Sequence, residues 1–371
     1  MAVASMVSFR LGGPDGVSVQ AATWARALER LGYSLRRVAG ELADGPRPGD
    51  VVVAGLAVAA EAAPGPAGQR PAAPQGPSAE ELHAALAGSR VVVVENMLSL
   101  PLHLEAARVL TGVLAELPAE TRILLHHHDF AWQRAETAAI TELPPRFDRA
   151  VHVTINDFSR RELAERGIEA VTIRNAFDLD APPGRRGETR SALGLGPHDV
   201  LVLQPTRAIA RKNIPAALRL AEALAPRLAR PVTYWLPGPA EDGYAATLAE
   251  VLATAAVPVL RTHPGSLGLA MDDAYAACDL VVFPSTGGEG FGQPVIESVW
   301  ADRPLAVLSY PALEEILALG FSFLPADDPD AVAAALRRRD ASTSARNREL
   351  AEAHFSMGAL ERSLAALLGP P

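Results

Sequence analysis

The sequence predicts an α/β protein of two doubly wound domains, each a parallel sheet with crossover helices, facing each other across a deep cleft. Three observations carry this. The chain has 371 residues, long for one core and suited to two domains of about 150 to 200 residues. Short apolar runs that end in polar residues alternate with stretches of helical spacing. The alternation stops once, in the Pro-, Gly- and Arg-rich segment from Asp180 to Pro197, and then resumes. The expected domains are therefore residues 1–180 and 181–355, with a C-terminal helix, 356–371, packing back on the first.

In the first half, "VASMVSFRL" reads as a strand, "GGPDGVS" as a glycine loop, and "VQAATWARALERLGY" as a helix with Val19, Ala22, Trp24, Leu28 and Leu31 on its apolar face, ending at Gly32. "DVVVAGLAV", "SRVVVVENML" and "TRILLHHHDF" read as further buried strands. The Pro-rich stretch Glu61–Ser78 has no periodicity and reads as a surface loop, more simply a tolerated insertion than a lid. "RAVHVTINDFSRRELAERGI" supplies another strand and helix, and "AVTIRNAFDLD" the last strand of this half. The segment that follows is the expected linker.

The second series runs through "DVLVLQPTR", the helix "NIPAALRLAEALAPRL", "VTYWLPG", a helix through Leu252, "VPVLRTH", the helix "DDAYAAC", "LVVFPS" and "PLAVLSY". Parallel strands joined by crossover helices make a second doubly wound domain. In such sheets ligands gather at the carboxyl ends of the strands, so the chemistry is sought there.

Composition narrows the function. A formal net charge of −9 gives the surface no long-range pull on nucleic acid or anionic lipid, so any phosphate must be held by local groups. The single cysteine, Cys278, permits no intramolecular disulfide and reads as a small buried residue of a cytoplasmic protein. No apolar run approaches the roughly 18 residues of a membrane span, and no basic-then-apolar leader opens the chain.

Four places carry candidate chemistry. The loop around Gly16 precedes a helix and could present N–H groups to a phosphate, although its spacing is not that of a dinucleotide fingerprint. "PTRAIARKN" clusters Arg207, Arg211 and Lys212 at a strand end, suited to a diphosphate. In "GGEGFGQPVIES", Pro294 is preorganised for a first helical turn, so a helix should start near Gln293. The N–H groups of Phe291, Gly292 and Gln293 would then face a sugar or phosphate, with Glu289 in the loop and Glu297 one turn into the helix able to accept from paired hydroxyls. Finally, His126, His127 and His128 end a strand. Neighbours on a strand point to opposite faces, so all three cannot readily chelate one metal and no metal site is expected. Asn96 and Arg134 are polar spots that could hold a ligand, with helix capping or a surface position as the simpler alternatives.

"FPSTGGEGFGQPVIESVWADRP" resembles the signature of retaining glycosyltransferases of family 4, with two glutamates separated by seven residues. "DGVS", "INDFSRREL", "IRNAFD" and "PTRAIARKN" resemble four more motifs of that family in the same order, so the likeness runs along most of the chain. The resemblance implies the GT-B architecture, with the acceptor mainly on the first domain and the nucleotide sugar mainly on the second. It implies that Glu289 contacts the donor sugar, Glu297 the ribose, Arg207 and Lys212 the diphosphate, and Gly16 the distal phosphate. It also places a histidine near the reacting sugar, His128 first and His127 second. Ala176, where the family often has glycine, and Asp15, inserted in the usual glycine pair, depart from the pattern.

The expectation is a retaining hexosyltransferase with no metal or cofactor, moving sugar from a UDP- or GDP-sugar to a small soluble hydroxyl acceptor. The catalytic group is His128, Glu289, Arg207 and Lys212. Gly16, Phe291, Gly292, Gln293 and Glu297 bind donor, while Asn96, His127 and Arg134 bind acceptor. A phosphorylase or nucleotide-sugar epimerase of the same architecture, and a non-catalytic nucleotide-sugar sensor, are the alternatives. Neither nucleic acid nor membrane insertion is expected.

Overall fold

A computed structural model describes residues 1–13, 15–58, 75–133, 137–178, 184–287, 289–338 and 341–369. Arg134 and most of the Pro-rich stretch lie outside them. The chain divides into two compact units, one of Met1–Ala176 with Met357–Pro371, the other of Phe177–Ser356.

The first unit is built on seven strands: β1 (Val3–Leu11), β2 (Ser34–Leu42), β3 (Val51–Val52), β4 (Ser89–Glu95), β5 (Arg122–His127), β6 (Ala150–Thr154) and β7 (Ala170–Thr172). They form one sheet in the order β3-β2-β1-β4-β5-β6-β7, every pairing parallel. Between them run α1 (Gly16–Arg30), α2 (Ala79–Leu86), α3 (Leu104–Glu116) and α4 (Asp157–Glu165). The strand order reverses between β1 and β4, which is where such a sheet collects ligands.

β2 is a strand that the apolar pattern does not reveal. Its sequence SLRRVAGEL carries Arg36 and Arg37, which interrupt the hydrophobic run. The guanidinium of Arg37 is nonetheless buried, because Asp44 takes it at 2.6 Å and Asp50 at 2.6 and 3.0 Å. Burying a charge is tolerable when it is paired and hydrogen-bonded like this. The expected strand in "DVVVAGLAV" shrinks to Val51–Val52, followed by a short 3₁₀ turn at Ala54–Leu56. The expected face of α1 also needs correcting. Trp24 and Leu28 are fully buried, but Val19 and Ala22 are exposed, and Gln20, Ala21 and Ala27 are buried with them. Gln20 is inside because its amide bridges both the N–H and the C=O of Ala176.

The second unit holds β8 (Val200–Leu203), β9 (Val232–Trp235), β10 (Val259–Leu260), β11 (Leu280–Phe283), β12 (Leu305–Val307) and β13 (Leu324–Pro325). Their order is β10-β9-β8-β11-β12-β13, again with every pairing parallel and with its reversal between β8 and β11. The helices are α5 (Arg186–Ala192), α6 (Ile214–Leu228), α7 (Ala245–Ala253), α8 (Met271–Ala277), α9 (Pro294–Trp300), α10 (Pro311–Ala318), α11 (Pro329–Arg338) and α12 (Ala341–Phe355). A last helix, α13 (Met357–Leu368), belongs to the first unit. There Met357, Leu360, Leu364 and Leu368 join the core of Trp24 and Leu28, and Glu361 pairs with Arg30 at 2.9 Å.

The expected linker contains α5, and its arginines explain why. Arg186 donates to the carbonyls of Ala276, Ala277 and Cys278 at 2.7 to 3.0 Å, closing the C-terminal end of α8. Arg186 and Arg190 both reach Asp279, at 2.6 and 3.2 Å, and Asp279 also accepts the N–H of Leu201 at 2.9 Å. Charge that reads as solvated in the sequence is the glue of a helix pair. Asp279→Ala should therefore cost about 3–5 kcal/mol, since it leaves the largely buried Arg190 with carbonyl acceptors but no counter-charge. Thermal unfolding measures this, and a loss under 1 kcal/mol would mean that the cluster contributes little.

Candidate functional site

In the second unit the site grows from the two loops at the sheet reversal. After β8 the chain runs through Gln204 to a 3₁₀ turn, Ala210–Lys212. Gln204 donates to the carbonyl of Lys212 at 2.8 Å and accepts from the Tyr234 hydroxyl. After β11, Ser285 Oγ and the N–H of Thr286 hold the carbonyl of Arg211 at 3.1 and 3.0 Å. The cation-bearing turn is thus tied to the loop that carries Glu289.

One carboxylate oxygen is the focus of that tie. Glu289 Oε1 accepts from Lys212 Nζ at 2.6 Å, and also from Arg211 and from Ser285 Oγ. Lys212 lies over the Phe283 ring at 4.8 Å. Burial lowers its ammonium to about 8 against the pull of Glu289, and the charges of Arg211 and Arg207 push the same way. Arg207 itself is half exposed and pairs with Glu241 at 2.5 Å. The structure thus joins Glu289 and Lys212 directly and leaves Arg207 outside that contact. Arg211, which the sequence shows only as a neighbour in the cluster, takes the nearer place.

The helix α9 begins at Pro294 with Gln293 as its cap. Gly292 has φ +83, and a Cβ there would lie 2.2 Å from the Tyr310 hydroxyl, so only glycine fits. That hydroxyl donates to the Phe291 carbonyl at 2.9 Å, and the Phe291 ring packs into the core on Phe177 and Phe355. Phe291 therefore offers a ligand no ring face. Glu297 lies one turn into α9, where its Oε2 accepts from Tyr275 of α8. Burial raises the Glu297 carboxyl to about 7, opposed by the Tyr275 hydrogen bond and helped by the charge of Asp272. Tyr275 escapes sequence reading because a tyrosine in "DDAYAAC" looks like core. It is core, with only its hydroxyl turned to the site.

In the first unit the loop after β1 is capped from within. Asp15 accepts from the Ser18 N–H and hydroxyl at 3.0 and 2.9 Å and pairs with Arg10 at 2.9 Å. The N-terminal end of α1, which starts at Gly16, thus carries a carboxylate of its own.

The three histidines divide as strand alternation requires. His127 bonds Ser99 Oγ at 2.5 Å through Nδ1 and His152 at 2.9 Å through Nε2, so both ring nitrogens are engaged. Burial holds it well below its ordinary range, hence neutral. His126 and His128 turn the other way and meet Glu95. Glu95, His126 and His128 are, among the described residues, a group whose ligand atoms lie within 4.8 Å of one another and could hold a metal ion. Strand alternation keeps all three histidines from meeting on one ion but allows this pair with a carboxylate. Asn96 accepts with Oδ1 from the N–H groups of His128 and Asp129, at 3.0 and 3.2 Å. That oxygen is spent on the backbone, leaving only its amide nitrogen for an acceptor.

Comparison with known proteins adds to this geometry. Residues 206–339 match the family of group 1 glycosyl transferases. Two mannosylglucosylglycerate synthases are similar, one from Thermotoga maritima (27% identical over 259 residues) and one from Petrotoga mobilis (26% over 272 residues). The matches cover 62% of this chain and 59% and 62% of theirs, so the chain spans about three fifths of the length of these relatives. Among solved structures, Anabaena HepE in complex with UDP-glucose aligns with a TM-score of 0.71 at 18% identity, covering 99% of both chains. Sucrose-phosphate synthase from Thermosynechococcus elongatus aligns with 0.67 at 16% identity, covering 99% and 98%. The fold is thus the GT-B one, two Rossmann-like α/β units.

The perturbed Glu297 gives a stability test. Its folded pKa lies above the ordinary 4.5, so the proton it keeps stabilises the fold fully below about pH 4.5. That contribution is lost as pH rises through about 7. Between those values wild type should lose on the order of 3 kcal/mol more than Glu297→Gln. Melting temperature against pH measures this, and parallel curves would show that Glu297 ionises as an ordinary carboxylate.

Proposed function

We propose that this chain is a retaining glycosyltransferase that moves a hexose from a UDP- or GDP-sugar to a small soluble hydroxyl acceptor, in the cytoplasm and with no metal at the diphosphate. The observation that carries the reading is the junction of Arg211, Lys212 and Glu289 at the reversal of the second sheet. Two cations converge on one carboxylate that belongs to the substrate-facing loop. A diphosphate would take over as their counter-anion, and Glu289 would be released to accept from hydroxyls of the donor sugar.

Charge grows on the leaving diphosphate as the anomeric carbon becomes oxocarbenium-like. Fixed cations in a partly buried site stabilise that growth more than they would in water, which is the work a metal ion does elsewhere. Glu297, held by Tyr275 through one oxygen, keeps the other for the ribose hydroxyls. Hydroxyl donors favour its charged form, so a bound nucleotide should lower the pKa that burial has raised. The names of the two synthases, whose product is built on glycerate, favour a small acceptor over a lipid or polymer. UDP in the HepE complex favours a nucleoside diphosphate donor without choosing the base for this chain.

Thermal shift with UDP, GDP, ADP and dTDP tests the reading. A ligand that binds only the folded chain at about 100 times its Kd adds about 2.7 kcal/mol. One nucleotide should raise the melting temperature, and Glu297→Ala should reduce the rise. No shift with any of them would end the transferase reading. Turnover gives a second check. With Lys212 titrating at about 8, kcat/KM for the donor should fall above that pH as the cation is lost, and Lys212→Arg should move the fall upward. A profile level through pH 9 would remove Lys212 from the leaving-group site.

A further inference from the structure

At the reversal of the first sheet a carboxylate and two imidazoles meet, all buried. Glu95 ends β4, and its register partner on β5 is His126. Glu95 Oε2 accepts from His126 Nδ1 at 2.8 Å and from His128 Nε2 at 3.1 Å. Burial opposes the charge on Glu95, but the two histidines outweigh it and hold the carboxyl at about 2. An ionised carboxylate can only accept, so both imidazole nitrogens facing it carry hydrogen. Nδ1 of His126 and Nε2 of His128 are therefore the nitrogens that donate to it. The next residue completes the hold. Asn96, at φ +58, accepts the backbone N–H groups of His128 and Asp129, so consecutive residues grip the ring and the main chain of one histidine.

The same three side chains could instead ligate a metal ion, and the surroundings decide against it. A ligating histidine almost always donates its other N–H to a partner. His126 Nε2 is buried without one, and so is Glu95 Oε1. Metal at Nδ1 would force an unpaired N–H into the interior, where His126 stacks on Trp24 at 4.1 Å. The hydrogen-bonded arrangement leaves only a bare lone pair there, the cheaper defect. His126 then serves as a second donor that stops the carboxylate from turning away, and burial keeps it neutral.

We propose that Glu95 is a positioning residue of the transferase site: it locks His128 in the Nε2–H form, leaving the Nδ1 lone pair to accept a hydrogen bond from a substrate hydroxyl. The substrate class rests on the proposed function; the lock does not. A buried carboxylate behind an imidazole sets its tautomer and orientation and stabilises the positive form that arises when the far nitrogen takes up hydrogen. Glu95 does this from the neighbouring strand, while His128 stands just past the end of β5.

Long-range ¹H–¹⁵N spectra of the full chain with ¹⁵N-labelled histidine test the lock directly, with His128 assigned by the signals missing in His128→Gln. At pH 7.5 the wild type should show His128 protonated on Nε2 alone. Glu95→Gln should mix the two tautomers and lower kcat about a hundredfold, with KM for the nucleotide sugar within about twofold. His128 protonated on Nδ1 in wild type, or ring signals displaced by stoichiometric Zn²⁺, would overturn the proposal, and so would an unchanged kcat in Glu95→Gln. If that variant fails to fold, the wild-type spectra still decide. Failure of the donor reading shows separately, as the absence of any nucleotide thermal shift alongside an intact tautomer.

Discussion

A parallel sheet that is wound outward in both directions from one central pair of strands must part its loops at that pair. Every strand delivers its carboxyl end to the same edge, and at the reversal two successive loops leave in opposite directions. Both units obey this constraint, at β1 and β4 in the first and at β8 and β11 in the second. The chemistry follows it closely. Asp15 follows β1 and Glu95 ends β4, while Lys212 follows β8 and Glu289 follows β11. Helices can cover the faces of these sheets with ordinary apolar residues because the reactive groups are confined to one edge.

Confinement of that kind concentrates charge where water is scarce, and the structure meets the cost by giving each buried ion a partner. Lys212 has Glu289, Arg37 has two aspartates, Arg190 has Asp279, and Glu95 has two imidazoles. The pairs are not equivalent. Arg37 and Arg190 each bind several fixed acceptors and serve the fold. Lys212 and Arg211 share a single carboxylate oxygen, an arrangement that a polyanion could displace. Glu297 is the exception, half-buried with one neutral donor, and desolvation of its carboxyl raises its pKa.

Much of this could be read from the chain because local signals agree with the global fold. Apolar runs with polar carboxyl ends located most strands, and Pro294 after a glycine loop located the start of α9. Reading failed where a charge was structural. β2 hid behind Arg36 and Arg37, and α5 behind the arginines that made its segment look like a linker. In both cases acidic partners hold arginines in the fold: Asp44 and Asp50 take Arg37, and Asp279, 93 and 89 residues away, takes Arg186 and Arg190. On α1 the helical period was right but the phase was wrong, because Gln20 is drawn inward by the backbone of Ala176.

The alternation of strand and helix, the turn chemistry around Gly292 and Pro294, and the placement of glutamates, cations and histidines after strand ends were legible in the chain. Those are short-range properties, set by side-chain period, by φ preference and by the missing N–H of proline. It took the folded chain to bring Arg211 rather than Arg207 to Glu289, Tyr275 to Glu297, and His128 rather than His127 to the carboxylate that Glu95 shares with His126. Such choices depend on which residue of a neighbouring strand or helix comes level with which. That register is set by the packing of the whole sheet, as Glu95 opposite His126 illustrates, and no local pattern encodes it.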